Sequence, residues 1–392
     1  MRRLNPLFED MPTSIFEEMS LLASATGAIN LGQGFPEHQG PPEILQLAAD
    51  ALLHGRNQYP PSRGLPVLRE AVAWHYNRHQ GLSLTPEQVV VTSGATEALT
   101  AALLAVIQPG DEVIILEPAY DAYRPLIERA GGVARVVTLT APDWRMIEAD
   151  LLAAITPGTR AVVFNNPMNP TARAFEADEL AMLAKTCVAH DLIAICDEVW
   201  EHIQFDGRRH LPLIAQPGMA ERTIKIGSAG KIFSVTGWKV GFVCATPALI
   251  EPIAKAHQFI TFTTPPNLQA AVATALDWDD AWFEAMRADY QRSRDRLASG
   301  LTAAGYVALP SQASYFLSID LAASGLAPDD VAFCRRLVTD HGVVAIPLSA
   351  FCEARPGGFV RLCFAKSDAT LDQAVARLGL AREAMLRAET HG

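Results

Sequence analysis

Between residues 87 and 246 the chain repeatedly enters short stretches dominated by apolar residues without alternation: EQVVVTS (87–93), EVIILEP (112–118), ARVVTL (134–139), RAVVFNNP (160–167), LIAICDEV (192–199), TIKIGS (223–228) and VGFVCAT (240–246). A strand with one wet face alternates apolar and polar residues, whereas a strand covered on both faces has no need to. Helix-length segments separate several of these runs: GATEALTAALLAVI (94–107), a stretch near 121–131, and FEADELAMLAKTCVAH (175–190). Strand and helix in alternation predict an α/β fold, with a large domain built on a mostly parallel, seven-stranded-type sheet flanked by helices. Past residue 280 the pattern changes. DDAWFEAMRADYQRSRDRLASGLTAAG (279–305) reads as one long amphipathic helix. Strands near 315–320, 343–346 and 359–364 and helices near 329–341 and 370–388 complete a smaller α+β domain. The expected division is an N-terminal arm and part of the small domain over 1–44, the large domain over 45–280, and the small C-terminal domain over 281–392.

Composition narrows the function classes. With 392 residues and 49% hydrophobic content, the chain can bury a large core. Its formal net charge is -11, from 32 basic and 43 acidic residues, with no basic cluster to offset it. That argues against a nucleic-acid partner and against an anionic membrane surface. The first twenty residues carry acids and prolines where a signal peptide needs an apolar stretch, and no run reaches membrane-spanning length. The six cysteines are scattered without a CxxC pair, as expected of reduced core residues in a cytoplasmic protein.

In open α/β sheets, ligands sit at the carboxyl ends of the strands. Four such ends carry unusual residues. VVVTSGATEAL runs a strand into small residues and a helix start, a site suited to an anion. NNPMNPT (165–171) is a polar turn rich in asparagine and proline. ICDEVW (195–200) buries an aspartate, which needs a cation or a strong donor for company. SAGKIFSVTGWKVGF (228–242) carries Lys231 and Lys239 beside glycines. Each feature alone reads as an ordinary turn, but a pyridoxal phosphate site needs all four. A lysine forms an imine with the cofactor aldehyde, and a buried carboxylate keeps the pyridine nitrogen protonated. Helix-end N–H groups, hydroxyls and a cation hold the phosphate.

In these motifs the sequence resembles the fold-type I pyridoxal-phosphate aminotransferases. The resemblance is to the branch holding kynurenine aminotransferase (glutamine transaminase K) and methionine or aromatic aminotransferases. INLGQGFPEHQGP, NQYPPSRGLPVLREAVA, AHQFITFTTPPNLQAAVA, VVAIPLSAFC and VRLCFAKS match that branch as well, so the likeness spans nearly the whole chain. It implies pyridoxal 5'-phosphate as cofactor and Lys231 as its covalent lysine, with catalytic roles for Asp197 and Tyr120. Asp197 would pair with the pyridinium, Tyr120 would stack on the ring, and Asn169 would donate to the phenolic oxygen. Ser228, Lys239, Gly94 and Ala95, with Ser93 beside them, would bind the phosphate. Tyr59 would reach the phosphate of a neighbouring subunit, which implies a homodimer with shared sites. Arg361 would clamp the substrate α-carboxylate, helped by Asn165 and Gly34. Trp200 stands where the family usually has a tyrosine, and Ala172 where it usually has glycine.

The resemblance implies a ping-pong reaction of an amino acid with a 2-oxo acid. Phe16, Phe35, Tyr123, Phe262 and Phe351 are aromatic positions expected near the substrate, Phe262 reaching it from the partner subunit. They favour a neutral side chain: methionine, an aromatic residue, kynurenine or glutamine. The alternatives are a cysteine-conjugate β-lyase, a transaminase of a succinylated diamino acid, and a non-catalytic cofactor-binding sensor. Three other motifs fail. A P-loop would need glycine where Lys225 stands and Ser or Thr where Ile232 stands. His75 and His79 have the spacing of metalloprotease ligands, but Tyr76 takes the place of the glutamate, so no metal site is expected. GQG (32–34) is too short for a dinucleotide fingerprint.

Overall fold

The computed structural model describes residues 5–9, 11, 13–354 and 357–390. In chain order the strands are β1 (Ile29–Asn30), β2 (Val89–Ser93), β3 (Glu112–Glu117), β4 (Val133–Thr138), β5 (Thr159–Asn165), β6 (Ile193–Asp197), β7 (Thr223–Ser228), β8 (Val240–Cys244), β9 (Val307–Ala308), β10 (Phe316–Asp320), β11 (Val343–Val344), β12 (Ile346–Pro347) and β13 (Phe359–Cys363). Seven of them form the central sheet in the order β2-β8-β7-β6-β5-β3-β4. Each apolar run between 87 and 246 supplies one of these strands. Helices Gly94–Val106, Tyr123–Arg129 and Ala177–Ala189 take up the helix-length segments between them. The fold is therefore α/β with a mostly parallel sheet.

One strand runs against the rest. β8 is antiparallel to both β2 and β7, while the other neighbouring pairs are parallel. Chain length explains the exception. A parallel neighbour needs a crossover of a dozen residues or more, and β7 and β8 are joined only by residues 229–239, which hold a single helical turn, Ala229–Ile232, and a tight turn, Thr236–Trp238. Lys231 and Lys239 both lie in this connection, so it folds back over the carboxyl end of β7.

The remaining strands pair elsewhere. β12, β13, β10 and β9 form an antiparallel sheet in that order, and β1 pairs with β11 in parallel. The N-terminal segment thus joins the C-terminal elements, and the helix Ile15–Thr26 packs on the helix Asp330–His341. The strand expected near 343–346 is split: Val343–Val344 serve β1, whereas Ile346–Pro347 serve β13. Among the helices without a counterpart in the sequence reading are Pro42–His54, Pro66–Gln80, Pro247–Ile260 and Pro266–Ala275. Each opens on a proline, whose fixed φ and missing N–H suit the first turn of a helix.

The end of β6 shows how the sheet sorts charge. Asp197 and Glu198 are adjacent and both are buried. Successive side chains on an extended chain point to opposite faces. Asp197 lies in the cavity described below, while Glu198 forms an ion pair with Lys225 of β7, both fully buried. Burial alone would raise the Glu198 carboxyl, but Lys225 and His210 hold it well below the usual carboxylate range.

Candidate active site

The carboxyl ends of β2, β5, β6 and β7 open on one cavity of about 590 Å³. It is lined by Gly94 and Ala95 after β2, by Asn165 and Asn169 at and after β5, by Asp197 and Trp200 at and after β6, and by Ser228 and Lys231 at and after β7. Lys239, Tyr120, Gly34, Phe16, Phe35 and Arg361 complete its wall. Residues spread over more than 340 positions of sequence therefore meet at one point.

Asp197 is 6% exposed, and its two oxygens differ. Oδ2 accepts a 2.6 Å hydrogen bond from the Tyr123 hydroxyl. Oδ1 is buried with no partner. Burial pushes the carboxyl up to about 6, while the Tyr123 bond and the Lys231 charge pull it back. A buried carboxylate oxygen with an unused lone pair is a prepared acceptor for a cationic N–H. Tyr123 is absent from the cavity wall and serves as the support of Asp197 instead.

Lys231 is enclosed by two aromatic rings. Its Nζ donates to the Tyr315 hydroxyl at 2.9 Å and lies 4.7 Å from the Trp200 ring centroid. Burial pulls the ammonium down to about 8, so a neutral amine is accessible near physiological pH.

An anion cradle adjoins the lysine. The helix Gly94–Val106 starts at the cavity with its free N–H groups and the positive end of its dipole. Gly94 has φ +77°, and a Cβ there would lie 3.1 Å from Lys239 Nζ. A Cβ on Gly241 would lie 2.6 Å from the Gly94 carbonyl carbon. The two glycines therefore let β8 press against the helix start and bring the Lys239 amine beside it. Ser228 also lines the cavity.

Arg361, on β13, is 2% exposed. Nη1 donates to Asn169 Oδ1 at 2.7 Å and Nη2 to the Gly32 carbonyl at 3.0 Å. Nε has no partner, and no carboxylate among the described residues forms an ion pair with this guanidinium. Its carbon lies 4.0 Å from the Phe316 ring centroid, 4.8 Å from Phe351 and 5.5 Å from Phe16. Burial lowers its pKa to about 10, still charged at neutral pH. A buried cation without a counter-ion is costly, and an incoming carboxylate would relieve that cost. Because Asn169 Oδ1 is engaged by the guanidinium, its NH2 group is left for a ligand.

Four expected site residues are placed or engaged differently from the rest. Ser93 is the last residue of β2, and its N–H is tied to Glu97 Oε2 at 2.6 Å. Tyr59 and Phe262 stand away from the cavity, packed edge to face with ring centroids 5.4 Å apart and with exposures of 82% and 40%. Asn165 lines the cavity, but its amide is engaged by the backbone: Nδ2 donates to the Asp197 carbonyl and Oδ1 accepts from the Asn169 N–H. Tyr315 and Phe316 were missed in the sequence, because SYFLSI gives no sign that it differs from an apolar core strand.

The sequence model of the family "Aminotransferase class I and II" matches residues 26–378. The chain is 46% identical over 385 residues to the "Probable N-succinyldiaminopimelate aminotransferase" of Mycobacterium tuberculosis, spanning 95% of this chain and 96% of that one. It is 39% identical over 368 residues to the methionine aminotransferase of Escherichia coli, spanning 93% and 95%. The solved structure of N-succinyldiaminopimelate aminotransferase from Mycobacterium tuberculosis superposes with a TM-score of 0.93 at 44% identity, over 97% of this chain and all of that one.

Proposed function

The chain belongs to the class I and II aminotransferases, which are pyridoxal-phosphate enzymes, and from that premise we propose that its amino donor is a neutral L-amino acid with an apolar or aromatic side chain. The observation that carries this is the buried, ion-pair-free Arg361 set among three phenyl rings. Its guanidinium suits one α-carboxylate, and the rings around it suit an uncharged side chain. A second cavity of about 580 Å³ begins beside Phe16 and Tyr120 and contains Arg124 and Arg335. Both arginines are already matched by acids, Arg124 with Glu353 and Arg335 with Glu18, which argues against a second substrate carboxylate there. The second reading, an N-succinylated diamino acid as donor, is favoured by the 46% identity to the mycobacterial relative. A panel of amino acids including methionine, phenylalanine, kynurenine, glutamine, aspartate and N-succinyldiaminopimelate, read as kcat/KM, separates the two. The proposal expects the neutral donors to lead, and a lead for the succinylated donor would overturn it.

The residues present fit the cofactor, as the unpartnered Asp197 Oδ1 and the Gly94–Lys239 cradle indicate. In this reading Asp197 would hold the pyridine nitrogen, Asn169 the phenolic oxygen, and Tyr120 would pack on the ring. Gly94, Ala95, Ser228 and Lys239 would hold the phosphate, and Lys231 would be the covalent anchor. When bound, pyridoxal phosphate supplies the electron sink that accepts the pair left as the substrate Cα–H bond breaks. The chain's own part is to hold the substrate carboxylate on Arg361, to keep water from the apolar wall, and to move the α-proton on the neutral amine of Lys231. Across the full cycle, the donor leaves as its 2-oxo acid with an oxygen taken from water, and its amino group passes to a second 2-oxo acid, whose oxo oxygen departs as water.

Trp200 departs from the usual tyrosine, and its ring face lies toward Lys231. In the Trp200→Tyr variant a phenol would stand near the cofactor's ring oxygen and stabilise its anionic form. The alkaline midpoint of the bound chromophore is expected to fall, by up to about one pH unit, equivalent to about 1.36 kcal/mol. An absorbance titration of both proteins measures it. An unchanged or raised midpoint would show that residue 200 does not act on that oxygen.

The protein as a homodimer is part of the same reading. Tyr59, Phe262, Phe259 and Leu53 leave large apolar groups in water, with Phe259 87% and Leu53 73% exposed, as an interface would require. Sedimentation at assay concentration is expected to give a dimer, and a fully active monomer would refute shared sites. All six cysteines are unpaired, which supports a reducing, cytoplasmic setting.

A further inference from the structure

The phenol that touches Lys231 comes from β10's approach, not from position 200. Tyr315 is 1% exposed. Its hydroxyl donates to the Gly34 carbonyl and accepts from Lys231 Nζ at 2.9 Å. A phenol carries one proton. With that proton committed to Gly34, the oxygen can only accept from the lysine, so the direction of this bond is fixed. The ring cannot swing away. Trp200 packs edge to face against it with centroids 4.4 Å apart, Phe316 lies 5.0 Å away, and Tyr290 lies 6.1 Å away. Tyr290 is itself tied to Ser234 by a 2.6 Å hydrogen bond. The Trp200 face attracts the amine but gives its N–H bonds no preferred direction. Among the described residues Tyr315 is the one hydrogen-bond partner of the amine.

We propose that Tyr315 is a positioning residue for Lys231: by accepting one N–H it sets the rotation of the amine, leaving the lone pair of the neutral form free to face the substrate Cα. The same phenol joins the lysine to the short segment that braces the carboxylate anchor, since Gly34 accepts from Tyr315 and Gly32 from Arg361. Proton carrier and carboxylate site are thereby held in one frame, which is what a proton transfer of fixed geometry requires. The inference rests on Lys231 being the proton carrier.

The test is Tyr315→Phe in the holoenzyme, which keeps the ring and removes the hydroxyl. For a Cα-deuterated amino acid, kcat is expected to fall about tenfold or more and the isotope effect on kcat to rise, because proton transfer slows. KM for the amino acid should stay within about threefold. A second readout needs no turnover. In the cofactor-free chain, the pH of half-maximal labelling of Lys231 by an amine-directed reagent should fall, because the ammonium loses an acceptor. Incorporating a fluorinated tyrosine at 315, of the same shape but a weaker acceptor, should move both readouts in the same direction. An unchanged isotope effect together with an unchanged labelling midpoint overturns the proposal, as does a rise in KM alone, which would confine the hydroxyl to bracing Gly34. Failure of the premise would look different: transamination would survive in Lys231→Ala, while the labelling shift would stand.

Discussion

Lys231→Ala should lose transamination by a factor of about 10⁴ or more, because one side chain is asked both to anchor the cofactor and to carry the proton. The burial that pulls the Lys231 amine down to about 8 makes it a usable base near neutrality. No other described amine is placed to replace it. Lys239 lies against the start of the helix Gly94–Val106, and Lys225 is paired with Glu198 under the sheet. Two measurements decide the matter. After borohydride reduction the wild-type peptide containing residue 231 should carry the mass of the cofactor, and the variant should carry none at any lysine. Turnover should vanish in parallel. A variant that retained either the adduct or the activity would place the anchor elsewhere.

The second large effect is expected at Arg361. Arg361→Ala removes a buried guanidinium that already holds Asn169 and the Gly32 carbonyl. A hydrogen bond involving a charge contributes roughly 1.5–3 kcal/mol, and a bidentate fork makes two of them, so kcat/KM should fall by about 10²-fold or more, with KM rising. Arg361→Lys should rescue little, since a single ammonium cannot span Asn169, Gly32 and a carboxylate as a planar fork can. Steady-state kinetics with methionine or phenylalanine provide the check. Unchanged constants would remove Arg361 from the substrate site.

Much of this arrangement could be read from the chain because its chemistry sits at strand ends. Apolar runs mark the strands, and a polar residue closing such a run, as Asp197 closes IAIC, stands out by its cost of burial. What could not be read falls into two kinds. Helices such as Pro42–His54 and Pro66–Gln80 are announced by a proline, a mark shared with turns. Side chains that act through a hydroxyl inside an apolar run leave no mark at all. Tyr315 has the composition of core packing, and only the folded chain turns it toward Lys231, whereas Tyr123, an aromatic expected near the substrate, is turned toward Asp197 instead. Asn165 presents the reverse case. As a polar residue at a strand end it resembles a ligand for substrate, yet the fold commits its amide to the peptide groups of Asp197 and Asn169.

The cavity is closed by groups that follow β2, β5, β6 and β7 and by Arg361 on β13, so no single hairpin or local segment contains it. Pairings of this sequence separation form late and slowly in folding, after the entropy of long loops has been lost. A partly assembled chain would hold a lysine or an aspartate but not the pair in register. Uptake of the cofactor therefore reports that the sheet has closed, and since the ligand binds the native state alone, it draws the folding equilibrium after it. At a free concentration a hundred times the Kd, that linkage adds about 2.7 kcal/mol to the stability of the chain.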